Sequence, residues 1–361
     1  MTVSCRAPGK LFIAGEYAVV EPGHLAVLTA VDRYATATVT AVDPGEGITL
    51  HSDLNGGVTL SCGRHGDELS PTSDAVVPAS LSYVFAAVST VHRLLLERAV
   101  PVSDFRLSVT ADLGDADGRK FGLGSSAAVT VATVAALGRH FALGLDPMDR
   151  YRLAMLATIA VNPRASGGDV AVSTWGGWLA YRSPDRAQVA ASLARDGVDA
   201  TLRSPWPGLS VRPLPTPTEL TLQVGWTGNP ASTPALVAGL DGDRTTFRAH
   251  SNECVERLVA AIEADDARAV RNEIDSARAL LVDLDEISGL GIMTPRLRAL
   301  CDAGTAVGAA AKPSGAGGGD CGIALIERTR PAAIAELTGR WISAGIRPLP
   351  LRTHLAEGDH R

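Results

Sequence analysis

Residues 120–137 read KFGLGSSAAVTVATVAAL and place one lysine and a Gly-Ser loop directly before an apolar helix. Gly122 and Gly124 have no Cβ, so backbone N–H groups there can approach a ligand closely. The helix behind the loop is small and apolar, so it can be buried with free N–H groups and partial positive charge at its N-terminus. The stretch predicts an oxyanion site. The alternative is that these residues only let a helix pack tightly on a sheet.

Neither of two common phosphate-binding patterns explains this stretch. Gly122, Gly124 and Ala127 formally match the dinucleotide fingerprint, which needs a strand directly before it and an acidic residue about twenty residues later. Here a polar loop precedes the glycines and the following region is still predicted to be helical. The pattern GxxxxGK[ST] does not occur in the sequence.

Lysine is scarce in this chain, and its positions are informative. The sequence has three lysines, Lys10, Lys120 and Lys312, beside thirty arginines. All three lie in or beside Gly-rich segments, namely APGK, RKFGLGSSAA and KPSGAGGGD. A lysine ammonium is compact and rotatable, unlike the planar guanidinium fork. We interpret the lysines as cations for an anionic ligand. A surface role for Lys10, and a flexible linker in the third segment, are the alternatives.

The composition is that of a soluble globular protein with two domains. The 361 residues are 46% hydrophobic and 20% charged, and the formal net charge of −6 argues against nucleic-acid binding. The N-terminal MTVSCRAPGK does not resemble a signal peptide, and we expect no membrane-spanning stretch. Five cysteines without CxxC spacing predict reduced thiols in a cytoplasmic protein.

Strand and helix patterns interleave without a regular βαβ period, which favours an α+β fold. The first sixty residues predict strands, residues 78–100 predict a helix with one apolar stripe, and Asp146 is a predicted helix N-cap. Residues 204–218 contain five prolines. We interpret them as the link between two domains, with a Pro-rich edge strand as the alternative.

Three ordered segments resemble the motifs of the GHMP small-molecule kinases. Residues 7–20 (APGKLFIAGEYAVV) resemble the first motif, residues 121–128 (FGLGSSAA) the second and residues 314–325 (SGAGGGDCGIAL) the third. The resemblance extends from Arg6 to about Ile326. Residues 165–181 (ASGGDVAVSTWGGWLAY) and 226–237 (WTGNPASTPALV) are similar to the branch that phosphorylates 5-phosphomevalonate.

The resemblance implies an N-terminal domain like ribosomal protein S5 domain 2, a C-terminal ferredoxin-like domain, and an active site between them. We expect the ATP-binding N-terminal domain at residues 1–204 and the C-terminal domain at residues 218–361. The implied cofactors are ATP and Mg²⁺. The implied reaction converts (R)-5-phosphomevalonate to 5-diphosphomevalonate, by a monomer or homodimer with no nucleic-acid or membrane partner.

The resemblance also implies roles for individual residues. Lys10 and Asp169 are the expected catalytic residues, and the hydroxyls of Ser125 and Ser126 are the expected contacts to Mg²⁺ or a phosphate. Arg164 is a further possibility for the acceptor. The expected ATP-binding residues are Lys120, Gly122, Leu123, Gly124, Ser125, Ser126 and Ala127. The expected acceptor-binding residues are Lys10, Lys120, Ser166, Ser232 and Lys312.

The role of Asp169 is left open between general base, Mg²⁺ ligand and orienter of Lys10. A phosphate monoester with a second pKa of about 6 is already mostly dianionic at neutral pH, so a strong base is unnecessary. By spacing alone, Asp169 is as well explained as a helix N-cap.

Three other functions compete with this hypothesis. A kinase of the same family acting on mevalonate or a related alcohol is the nearest. A regulator that kept the fold and lost catalysis is the second, and intact Lys10, Ser125 and Asp169 argue against it. A nicotinamide dehydrogenase is the third, disfavoured by the missing strand context.

Overall fold

The structure of the chain is a computed structural model. Its described residues are 1–53, 57–66, 68–72, 76–115, 117–229, 236 and 244–355. They form an eight-stranded and a four-stranded sheet with helices packed on both, which confirms the predicted α+β class.

The first sheet is built around one long strand. Its strands are β1 (Thr2–Ala14), β2 (Leu25–Ala41), β3 (Ile48–Ser52), β4 (Val58–His65), β5 (Glu68–Pro71), β6 (Phe105–Ala111), β7 (Trp178–Arg182) and β8 (Ser210–Leu214). The order is β5-β4-β3-β6-β2-β7-β8, and β1 pairs with β2. The β3–β6 pair is parallel and the other pairs are antiparallel. Strand β2 therefore has β1, β6 and β7 as partners along its length.

Five helices accompany this sheet: α1 (Ser82–Glu97), α2 (Ser125–His140), α3 (Pro147–Val161), α4 (Gly168–Trp175) and α5 (Arg186–Arg203). Helix α2 packs on β1 and β2, and its residues 127–134 and 136–138 are all buried. Small alanine, valine and threonine side chains make this close packing possible. Asp146 caps α3 as predicted, because its carboxylate accepts a hydrogen bond from Asp149 N at 2.8 Å.

The second sheet has the order β10-β11-β9-β12, with all its pairs antiparallel. Its strands are β9 (Leu220–Trp226), β10 (Ala310–Pro313), β11 (Cys321–Glu327) and β12 (Arg347–Leu349). Its helices are α6 (Thr245–Glu263), α7 (Ala267–Ser288), α8 (Pro295–Ala306) and α9 (Pro331–Ser343). Amphipathic α7 packs on β10, so its apolar face covers the sheet.

The Pro-rich segment 204–218 is not only a connection. Strand β8 lies within it and pairs with β7 at the edge of the first sheet, so the edge-strand alternative describes this part. The chain also returns to the first sheet near its end, where Val31 and Thr353 form a β-bridge. The division at residues 204 and 218 stays a prediction.

Burial of side chains bears on two expectations from the sequence, one about the cysteines and one about membrane-spanning segments. All five cysteines are buried and unpaired, as predicted for reduced thiols. The segment Ala79–Glu97 is long and apolar enough to span a membrane, contrary to expectation. Half of it is buried inside the molecule, where α1 packs on α2 and α3, so we interpret it as a core helix.

Candidate active site

A cleft of about 480 Å³ lies where loops of the two sheets meet. Its walls come from β1, from the start of α2, from the α3–α4 connection and from the loop between β10 and β11. Most of the residues predicted from the sequence line it. They are Lys10, Lys120, Gly122, Leu123, Gly124, Ser125, Ser126, Ala127, Ser166 and Asp169.

Lys10 is held against the glycine loop at both ends of the residue. Its backbone N–H donates to Leu123 O at 2.9 Å, and its Nζ donates to Gly122 O at 3.1 Å. The lysine stem crosses Gly124, where a Cβ would meet Lys10 Cγ at 2.8 Å. With only 9% of its surface exposed, Lys10 presents its ammonium to the cleft from a fixed position.

The glycine loop ends at the N-terminus of α2. Gly124 is the N-cap and has a φ of 75°, in the left-handed region that glycine adopts without strain. No side chain caps the helix, so its first N–H groups are available to an anion. Ser125 and Ser126 are partly exposed at this end, and both line the cleft.

Asp169 stands in the first turn of α4, after the left-handed N-cap Gly167. Its Oδ1 accepts a hydrogen bond from Val170 N at 3.0 Å. Among the described residues Asp169 and Lys10 form no ion pair, and the Lys10 ammonium donates to Gly122 O. This geometry gives no support to a direct orienting contact between the two.

The α3–α4 connection is held by hydrogen bonds from two buried hydroxyl groups. Tyr181 Oη donates to Ser166 O at 2.6 Å and Ser183 Oγ donates to the same carbonyl at 3.0 Å. Both Tyr181 and Ser183 are buried, so Ser166 reaches the cleft from a rigid base. Arg164, in the same connection, lines the cleft and is exposed.

The cleft lining also includes residues that were not singled out from the sequence, and two of them are close to Asp169 or to each other. Tyr83 on α1 and Asn162 at the end of α3 both line the cleft. Burial raises the pKa of Tyr83, the Asp169 carboxylate raises it further, and a hydrogen bond with Asn162 lowers it. Tyr83 is therefore a neutral hydroxyl beside Asp169 at neutral pH. Neither residue lies in a Gly-rich segment, so no local pattern marked it.

The third Gly-rich segment is a folded loop between β10 and β11. Ser314 Oγ donates to Phe12 O of β1 at 2.9 Å, and Cys321 Sγ donates to Phe121 O in the loop before α2 at 3.0 Å, so both ends contact the first sheet or its loops. Asp320 has a φ of 43° and packs against Gly122, where a Cβ would meet its Cγ at 2.5 Å. The linker alternative is therefore wrong for this segment.

Two other lysines have different surroundings. Lys120 is exposed at the cleft mouth, where it forms a β-bridge with Gly114. Lys312 is fully buried outside the cleft lining, and its Nζ pairs with Glu16 Oε1. This placement does not support direct acceptor binding by Lys312, because its charge is already compensated. Ser232 lies outside the described residues.

The cleft offers oxygen donors that fit a nucleotide-bound Mg²⁺. Within the described part of the chain, no group of three or more His, Cys, Asp or Glu side chains could hold a metal ion alone. Mg²⁺ commonly takes one or two protein oxygens and completes its shell with phosphates and waters. The oxygens of Ser125, Ser126 and Asp169 line the same cleft and could supply those contacts.

Comparison with known families gives two matches in chain order. The model described as GHMP kinases N terminal domain matches residues 82–177, and GHMP kinases C terminal matches residues 258–342. A phosphomevalonate kinase from Streptomyces sp. (strain CL190) is 50% identical, over 97% of this chain and 96% of that protein. The chain belongs to the GHMP kinase family. The resemblance inferred from the three motifs is confirmed, and with it the GHMP kinase fold.

Other relatives place this GHMP kinase within its family. A structure of Streptococcus pneumoniae phosphomevalonate kinase in complex with phosphomevalonate and AMPPNP has 30% sequence identity and a TM-score of 0.84, covering 98% of this chain and all of that one. A mevalonate kinase from Pyrococcus horikoshii is 29% identical over 92% of this chain and 91% of that protein. This GHMP kinase is thus a near full-length homologue of phosphomevalonate kinases.

Proposed function

We propose that this GHMP kinase transfers the γ-phosphoryl group of ATP to (R)-5-phosphomevalonate, giving ADP and 5-diphosphomevalonate. The observation that carries the proposal is the 50% identity to a phosphomevalonate kinase over nearly the whole of both chains. The cleft adds support, because it gathers Lys10, Asp169 and the glycine loop as the chemistry requires.

The main obstacle to this reaction is charge repulsion. The acceptor phosphate is mostly dianionic at neutral pH and must approach the γ-phosphoryl group of ATP, which is also negative. We assign the ATP phosphates to the N–H groups of residues 122–127 at the N-terminus of α2. Buried Lys10 supplies a fixed ammonium beside this loop, and exposed Lys120 supplies a movable one at the mouth.

Mg²⁺ would supply further positive charge on the phosphates when bound. Ser125 and Ser126 are the proposed protein contacts, and the Asp169 carboxylate, which lines the same cleft, is a further candidate. Asp169 is proposed to orient the acceptor or the metal shell instead of accepting a proton from a substrate that is already ionised. Ser166 and Arg164 face the same space and are proposed acceptor contacts.

An acceptor panel tests the proposal directly. Purified enzyme with ATP and Mg²⁺ is given phosphomevalonate, mevalonate or no acceptor, and ADP release is coupled to an optical readout. Of the three conditions, we expect turnover only with phosphomevalonate, and turnover lower by about 10²-fold or more in the Lys10→Met variant run alongside. Phosphorylation of mevalonate but not of phosphomevalonate would overturn the proposal, and oxidation of an added nicotinamide cofactor would point to a different enzyme class.

Mevalonate phosphorylation is the second candidate, since mevalonate kinases are 27–30% identical to this chain over about nine-tenths of its length. The lower identity ranks it second. We also propose that the enzyme is a monomer or homodimer, and sedimentation of the purified protein can test this oligomeric state. We propose that it works in the cytoplasm. The five unpaired cysteines support a reducing compartment.

A further inference from the structure

A buried set of contacts joins the first sheet to the third Gly-rich loop. Glu16 and Tyr17 lie in the turn after β1, and Lys312 lies on β10 of the second sheet. Glu16 Oε1 pairs with Lys312 Nζ and also accepts from Gly315 N at 3.4 Å. Tyr17 Oη donates to Ala316 O. We call Glu16, Tyr17 and Lys312 the latch.

The latch is unusual because it places charges where water does not reach. Glu16 is 4% exposed and Lys312 is fully buried. Lys312 Nζ also donates to Pro313 O at 2.6 Å, so the ammonium is held by two partners. A buried ion pair adds little net stability compared with apolar residues of the same volume, since both charges must be desolvated. Stability alone is therefore a poor reason for this arrangement.

The turn that carries the latch is also strained. Tyr17 has φ 63° and ψ −49°, a conformation that non-glycine residues seldom adopt. Gly15 has φ 93°, and a Cβ there would meet Leu25 O at 2.5 Å. Strained backbone persists where surrounding contacts hold it, and it is concentrated at functional sites. Here the turn is held by the hydrogen bond from Tyr17 Oη to Ala316 O, by the Glu16–Lys312 pair and by burial of the Tyr17 ring.

The latched loop reaches the reaction centre proposed above. Gly315 and Ala316 line the cleft beside Lys10, and a Cβ on Gly315 would lie 3.9 Å from Lys10 Nζ. We infer that Glu16, Tyr17 and Lys312 are positioning residues that fix the Gly315–Ala316 edge of the cleft relative to Lys10. This inference rests on the proposed function, because its first readout is turnover of phosphomevalonate.

The variant Tyr17→Phe tests the latch with the loss of one oxygen atom. Burial raises the pKa of Tyr17, with Glu16 and Asp285 adding to the rise, so the native side chain is a neutral donor. The control is Tyr34→Phe, which loses a hydroxyl contact to His354 Nδ1 at 3.1 Å outside the cleft. We expect kcat to fall about tenfold in Tyr17→Phe, the scale of a small misplacement, with KM for ATP changed by less than about threefold.

Equal kcat in the two tyrosine variants would overturn the inference. The double variant Glu16→Gln, Lys312→Met removes both buried charges and leaves neither unpaired. It therefore distinguishes a loss of loop positioning from the loss of stability that one unpaired buried charge would cause. We expect it to melt near the wild-type temperature and still to lose turnover at 25 °C. Wild-type turnover in the double variant would show that the pair is only structural.

Hydrogen exchange gives a readout that does not depend on the reaction. Amides of residues 314–319 should exchange faster in Tyr17→Phe than in Tyr34→Phe, while amides of α2 should be unchanged in both. If the wild-type enzyme does not turn over phosphomevalonate, the proposed function fails while this comparison still tests the latch. Equal exchange in the loop of both variants would remove the latch as a positioning device.

Discussion

Lys10 illustrates how one residue can join two motifs that are far apart in sequence. The backbone and the ammonium of Lys10 both bind the loop that begins 112 residues later. Because the stem crosses Gly124 and the residue is almost fully buried, its charge cannot follow a ligand into solvent. Such a preorganised cation avoids the cost of reorganisation when negative charge approaches.

The first prediction concerns this charge. Lys10→Met should lower turnover about 10²-fold or more, which is typical for the loss of one preorganised partner of the transition state. Coupled ADP release with phosphomevalonate measures it. The matched control is Arg139→Met, which removes an exposed cation of α2 outside the cleft and should leave turnover near normal. Near-normal turnover of Lys10→Met would remove Lys10 from the proposed machinery.

A second prediction concerns the glycine under the lysine stem. Gly124→Ala would place a Cβ 2.8 Å from Lys10 Cγ at a φ of 75°, so the lysine or the loop must move. Gly118→Ala is the control, with a φ of 78° and no atom within 4 Å of the added Cβ. Both variants carry about 1–2 kcal/mol of backbone strain, but only Gly124→Ala should lose turnover strongly. Equal kcat values in the two would contradict the packing described here.

At the scale of elements, the first turn of α4 places the Asp169 carboxylate in the cleft. Asp169→Asn should lower turnover but keep the acidic limb of the pH profile, because that limb belongs to the acceptor phosphate with its pKa of about 6. As the pH falls through that value, the acceptor gains a proton and becomes a poorer nucleophile. Profiles of kcat/KM from about pH 5 to 9 measure this. Loss of the acidic limb in the variant would instead identify a general base.

At the scale of the whole molecule, residues 352–354 return from the second sheet and bind to the first. Arg352 and His354 exchange backbone hydrogen bonds with Asp32, Ala30 and Gly177 at 2.8–3.0 Å. Arg352 N also donates to Asp32 Oδ1 at 2.7 Å. The two sheets are therefore joined by this return as well as by the latch.

Truncation tests this return. A chain that ends after residue 350 loses the hydrogen bonds of residues 352–354, and a control that ends after residue 355 keeps them. At about 1 kcal/mol for each of several bonds, we expect the shorter chain to unfold with about 3 kcal/mol less free energy. Urea titration of both chains measures the difference. Equal midpoints and slopes would show that the return adds no stability.

The sequence was most informative where one residue type has one physical use. Scarce lysines and glycines at fixed offsets predicted a tight glycine loop before α2, because Gly122 and Gly124 need conformations that other residues avoid. Lys312 could not be assigned in this way, since its partner Glu16 is 296 positions away and only tertiary packing brings the two together. Strand β8 was ambiguous for a related reason, because its partner β7 and not its own prolines decides that it pairs.

The distribution of lysines has a practical consequence. Lys10 and Lys312 are buried, whereas Lys120 is exposed at the mouth of the cleft. An acylating dye in mild excess would thus react fastest at the exposed Lys120 amine and at the terminal amine. A fluorophore attached to Lys120 would lie at the cleft mouth without the need to introduce a cysteine, and the same acylation would remove the ammonium that we assign to the entering anions.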